Sequence, residues 1–123
     1  MIEEAYVSFE TAKLLKEKGF DKYPLFPCYK EDNGAFIDIP TTLDTINYCF
    51  IPAPTLQMAM RWLREVHNID ITALPQFDSS KWTYSAIIFK LSIPCTEIRL
   101  NDNKDKKEEA YEAACIYALK NLI

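Results

Sequence analysis

The stretch from Ala53 to His67 constrains the fold more than any other part of the chain. Pro54 suits the first position of a helix, where the N–H it lacks has no intrahelical acceptor. At 100° per residue, Leu56, Ala59, Met60, Leu63, Val66 and His67 share one flank, and Met58 and Trp62 widen it. The apolar arc spans roughly 200°, against about 100° for a surface helix, so a helix over 54–67 is expected between two layers. Gln57, Arg61, Arg64 and Glu65 fill the remaining arc. They form the candidate partner surface of this helix.

Two further helices are expected. The first covers 8–18, with Ser8 as N-cap, Glu10 in the first turn, and Val7 placed to staple against Ala12. Gly19 supplies the left-handed residue that ends it, and Phe20 can fold back onto Leu15. The last covers 106–122, where Asp105 followed by Glu108 reads as a capping box. Its buried stripe is Tyr111, Ala114, Cys115, Ala118 and Leu122.

Between the helices the patterning is that of short strands. Asp32-Asn33-Gly34 separates two apolar runs, 28–30 and 35–39, as a hairpin turn would. A short strand over 46–51 is ended by Pro52. Ile69, Ile71 and Ala73 alternate with Asp70 and Thr72, the period of a half-buried strand, and Pro75 with 76–80 reads as a turn. Residues 82–91 carry bulky groups on both faces, as a central strand does, and 96–100 make a short edge strand. Together these predict a single α+β domain over 1–123. An antiparallel sheet of four to five short strands is packed by the helices 54–67 and 106–122, with helix 8–18 flanking.

Charge and motif content narrow the function classes. The net charge of −4 disfavours general nucleic-acid binding, which depends on Lys and Arg meeting phosphates. No apolar run approaches the ~18 residues of a membrane span, and no basic-then-apolar leader is present, so a cytoplasmic setting with free thiols is expected. Cys28, Cys49, Cys95 and Cys115 share no C-x-x-C spacing and stand with one histidine, His67, so no metal site is expected. Asp102, Asn103 and Asp105 resemble calcium ligands superficially, yet lack the glycine and the distal glutamate of an EF-hand loop. A solvated turn with a helix cap explains the same residues. His67 could serve as a general base, and a hydrolase or transferase with a cleft near it is one reading. The residues favour a helix-end side chain set against the dipole. With no Gly-rich phosphate loop, no G-x-S-x-G and no H-E-x-x-H, neither a catalytic residue nor a cofactor is expected.

Residues 8–20 and 53–69, the latter carrying Pro54-Thr55 and Trp62-Leu63-Arg64-Glu65, resemble a family of small uncharacterised proteins encoded by phages and prophages of bacteria. The Glu- and Ala-rich C-terminal stretch 108–123 is similar as well. The resemblance implies a mobile-element protein of the bacterial cytoplasm and supplies no residue roles. The order from residue 54 onward (helix, three strands, helix) is also similar to a double-stranded RNA-binding domain, in which a basic helix start touches phosphates. Lys104, Lys106 and Lys107 are then the alternative nucleic-acid contacts, although Glu108, Glu109 and Glu112 surround them.

The leading expectation is an accessory protein acting by protein–protein contact, with a homodimer as the simplest partner. Phe26, Tyr29, Phe36, Tyr48, Trp82 and Tyr117 exceed what one small core requires, and surplus aromatics mark interfaces.

Overall fold

A computed structural model describes residues 5–20, 27–31, 33–37 and 50–123. In chain order the elements are α1 (Phe9–Glu17), β1 (Cys28–Lys30), β2 (Phe36–Ile37), β3 (Phe50–Pro52), α2 (Leu56–His67), β4 (Ile69–Asp78), β5 (Lys81–Lys90), β6 (Thr96–Arg99) and α3 (Lys107–Asn121).

The central helix α2 starts at Leu56, two residues later than Pro54 suggests. Thr55 is its N-cap, in extended conformation, and its side chain accepts from the Met58 N–H. The delay has a cause elsewhere in the chain. The Val7 N–H donates to the Pro54 carbonyl at 3.0 Å and the Leu56 N–H donates to the Ala5 carbonyl at 2.8 Å. This antiparallel clasp, with Tyr6 bridged to Thr55, holds 54–55 extended. At the other end Asn68 takes a left-handed φ of 56°, and its N–H donates to the Leu63 carbonyl. Asparagine tolerates that conformation, so the helix stops there and β4 begins at once.

Among the described residues, three helices and six strands make an α+β fold, and the strands form two sheets, not one. Three-stranded antiparallel sheets have the orders β2-β1-β3 and β4-β5-β6. The small sheet leads into the start of α2, and β4 leaves from its end, about 18 Å away along twelve helical residues.

In the small sheet Cys28 pairs with both Ile37 and Pro52. Pro52 therefore lies within β3 and does not end a strand before it. An edge strand can hold a proline whose missing N–H faces outward. The hairpin expected around Asn33-Gly34 is present: the Gly34 N–H donates to the Lys30 carbonyl and Asn33 Oδ1 accepts from the Ala35 N–H. Gly34, at φ 71°, lies where an added Cβ would come within 2.8 Å of the Phe9 ring. The expected strand residues 38–39 and 46–49 lie outside the described residues.

The large sheet corrects the reading of 75–80 as a turn. β4 runs through Pro75 to Asp78, and the turn is Ser79–Ser80 alone, both at positive φ. Two such residues twist a tight hairpin in the sense its strands require. β5 is central, paired along its length to β4 and at its end to β6. α3 packs on β4 and β5, α2 on β4, and α1 on α3. Val7, Leu15, Leu63, Ile69, Ile88 and Leu119 are fully buried where these layers meet.

The cap expected for the last helix is absent. Lys106 is the N-cap and makes no side-chain cap bond, and Asp105 instead holds Lys81 at 2.8 Å. Ala110, Ala114, Cys115, Ala118 and Leu119 form the buried stripe. Within this helix Glu112 caps another element. Its Oε1 accepts from the Ser8 N–H at 2.8 Å and from the Thr11 hydroxyl at 2.6 Å, tying α3 to the start of α1. Thr11 is wholly buried, and losing this acceptor leaves its hydroxyl with the longer contact to the Ser8 hydroxyl, at 3.2 Å. Urea denaturation is expected to show Glu112→Ala less stable by about 2 kcal/mol. A change near zero would mean that α1 docks through its apolar face alone.

Candidate functional site

The polar ridge of α2 is exposed, as its helical spacing requires. Gln57, Arg61, Arg64 and Glu65 all face solvent. Arg61 Nε donates to Glu65 Oε1 at 2.9 Å within the helix, and Arg64 approaches Asp70 at 3.8 Å. Three of the four side chains are thus engaged with charges of their own neighbourhood. Exposed pairs of this kind contribute little to stability and hold the side chains only loosely.

The lysines at the start of α3 are engaged in a similar way. Lys104 exchanges both backbone hydrogen bonds with Tyr84 at 2.7 Å, and its Nζ pairs with Asp102 at 2.7 Å. The hydrogen bond to Asp102 raises the Lys104 pKa, and that between Lys81 and Asp105 raises the lysine and lowers the carboxylate. Lys81, Lys104, Lys106 and Lys107 stand among Asp102, Asp105, Glu108 and Glu109, one carboxylate for each ammonium. Beside them is an open depression of about 380 Å³, bordered by Tyr6, Leu56, Lys104 and the carboxylates of Glu108, Glu109 and Glu112. Phosphate binding needs a surplus of positive charge, and this corner has none.

His67 closes a stack of rings. Its imidazole meets Trp62 edge-on with centroids 4.7 Å apart, and Phe20 meets the same indole at 5.4 Å. Nε2 is sealed from solvent and has no hydrogen-bond partner among the described residues. Burial, and secondarily the Lys18 ammonium, lower its pKa below the ordinary 6.5. His67 is thus a partly buried side chain at the end of α2, and burial disfavours its charged form. Cys28 and Cys115 are buried, and burial with Glu112 pushes the Cys115 thiol up to about 12. Cys95 is exposed, and Cys49 lies outside the described residues. Among the described residues, no three His, Cys, Asp or Glu side chains gather as a metal-binding group. No described helix is long and apolar enough to cross a membrane.

The aromatic surplus divides in two. Tyr29, Phe36, Phe9 and Tyr6 pack on one another around the small sheet with centroids 5.4–5.6 Å apart. The Tyr29 hydroxyl donates to the Val7 carbonyl, and Tyr117 packs against the core. Phe26 and Tyr48 lie outside the described residues. Trp82 is more exposed than the aromatics around the small sheet, of which Tyr6 and Phe36 are each 44% exposed. It lies at the end of the β4–β5 hairpin, paired in register with Phe77, with ring centroids 5.2 Å apart. Phe77 is 64% exposed and Trp82 57%. Composition points to Trp82 alone, because Phe77 falls within the stretch that Pro75 marks as a turn. A signal for Phe77 is nevertheless present in the odd-numbered alternation from Ile69, which continues through Pro75 to Phe77.

Against known protein families, curated proteins and solved structures, the chain finds no match.

The His67 stack gives a pH dependence of known sign. A folded-state pKa below the unfolded value means that the unfolded chain binds more protons, so stability rises with pH across that interval. Stability is expected to be complete above about 6.5 and to fall as the pH drops through the unfolded value towards the depressed folded one. The variant His67→Phe should flatten this part of the urea-midpoint profile. An unchanged slope would assign the dependence to other groups.

Proposed function

We propose that this is a small cytoplasmic accessory protein of a bacterial mobile element that acts by protein–protein contact. The setting is supported by the resemblance at 8–20 and 53–69. The contact reading is carried by the Phe77–Trp82 pair, two large aromatic side chains more than half exposed at the end of a hairpin. Leaving such surface in water is unfavourable by roughly 25 cal/mol per Å² of apolar area, and a partner that covers it recovers that free energy. Aromatic side chains at the centre of a contact commonly dominate its affinity. The α2 ridge of Gln57, Arg61, Arg64 and Glu65 offers charge without apolar area, which suits a rim.

Nucleic-acid binding through Lys104, Lys106 and Lys107 is the second reading. It is favoured by the succession α2-β4-β5-β6-α3, which sets the α3 start beside the hairpin end through Lys81 and Asp105. The balanced charge of that corner weighs against it.

A photo-crosslinking residue in place of Trp82 is expected to yield a discrete higher-mass adduct in producing cells. The same residue in place of Lys13, on the exposed side of α1, should not. Loss of the distinction would count against the hairpin as the contact. Duplex RNA titrated at low salt is expected to leave the protein's mobility unchanged. A shift abolished by Lys106→Glu with Lys107→Glu would replace the contact reading with the second one.

A further inference from the structure

The hydrogen-bond parity of the large sheet fixes which way each backbone group of β4 points. The Leu91 N–H donates to the Asn68 carbonyl at 2.7 Å, which makes Asn68 and Leu91 a hydrogen-bonded pair. With Ile69 opposite Lys90 and Ile71 opposite Ile88, the even-numbered residues of β4 bond to β5 and the odd-numbered ones turn away. The exchange between Tyr84 and Lys104 on the far side of β5 obeys the same parity. Ile69, Ile71, Ala73 and Phe77 therefore turn both N–H and C=O outward, and Pro75 turns out a carbonyl alone. None of these groups has a backbone partner among the described residues. Pro75 is tolerated in so long a strand because the N–H it lacks would have pointed off the sheet.

We infer that this open edge is where a second copy of the chain pairs, β4 against β4 and antiparallel, about a two-fold axis through Ala73. The inference rests on the contact reading and names its partner. Antiparallel pairing of like strands is isologous: each odd-numbered residue that points outward meets another of the same parity. Centred on Ala73, the register sets Ile69 opposite Phe77, Asp70 opposite Gln76 and Thr72 opposite Leu74. No like charges face each other, and the Gln76 amide is set to donate to the Asp70 carboxylate. Pro75 forfeits only its own donor. A register centred on Ile71 would bring the two Asp70 carboxylates onto adjacent diagonal positions and leave Phe77 outside the pairing. In the Ala73 register, the exposed Phe77 of each copy lies against the Ile69 end of the other. There α2 arrives through Asn68 and carries Val66, itself 43% exposed. The result is one continuous antiparallel sheet of six strands, doubled from the three of each chain.

Sedimentation of the whole chain, with charge variants at Thr72, tests this. Thr72 is exposed, and in the Ala73 register the two copies of it lie diagonally across the axis. The wild-type chain is expected to sediment at twice its own mass at high concentration. Thr72→Lys alone and Thr72→Glu alone should each weaken association by about tenfold or more, and an equimolar mixture of the two should restore it. Restoration on mixing separates pairing from misfolding, because two misfolded chains do not repair each other. Should both Thr72 variants lose their native circular dichroism, Phe77→Glu replaces them. Phe77 lies outside the core, so this change should preserve the fold and abolish the dimer. A wild-type monomer at all concentrations, or a dimer indifferent to Thr72 and Phe77, overturns the inference. A monomer that still crosslinks through position 82 to a different chain removes the second copy as partner and leaves the contact reading standing.

Discussion

Two backbone hydrogen bonds between the start of the chain and the start of α2 organise much of the fold. By donating from Val7 to Pro54 and from Leu56 to Ala5, the chain fixes where α2 begins and which segment lies beside it. Val7 is thereby fully buried, and Ser8 is carried to the point where Glu112 of α3 can accept from it. Glu112 also accepts from the buried Thr11, so the first and last helices are joined by one carboxylate at the positive end of the α1 dipole. The clasp and the carboxylate together bring residues more than a hundred positions apart into one layer.

The small sheet ends where α2 begins, and the large sheet begins where α2 ends. Around the small sheet Tyr6, Phe9, Tyr29 and Phe36 pack on one another, with Tyr6 and Phe36 each 44% exposed. In the large sheet β4, ten residues long, stands at an edge with its odd-numbered backbone groups turned out. Long open edges are usually blunted by charge, proline, bulges or a covering element. β4 carries one proline, Pro75, and two aspartates, Asp70 beside Arg64 and Asp78 at its end, and only Pro75 removes a donor from its outward ladder.

The helices are legible in the sequence because their signals are local. Ser8, Gly19 and Asn68 set helix ends through their own conformational preferences, and each does so in the structure. The strand order is not legible, because it depends on pairing between distant segments and not on any residue's propensity. Pro52 and Pro75 read as breaks, since a proline cannot donate to a ladder. Both lie in strands because their nitrogens face an edge with no paired strand among the described residues, a fact of register that no local pattern contains. Asp105 reads as a helix cap and is held instead by Lys81, a partner twenty-four positions away. For the site, Trp82 is visible by composition, while Phe77 is hidden behind Pro75. The role of Glu112 has no local signal at all, because its partners lie at the opposite end of the chain.

If the working surface is the open edge of β4 and not the polar ridge of α2, the backbone itself will report it. Amide hydrogen exchange, resolved by residue and followed across protein concentration, tests this most directly. Ile71 and Ala73, whose N–H groups have no backbone partner among the described residues, are expected to become slow to exchange as concentration rises. Thr72 and Leu74, bonded to β5 throughout, should change little. Fast exchange at Ile71 and Ala73 at every concentration would contradict it.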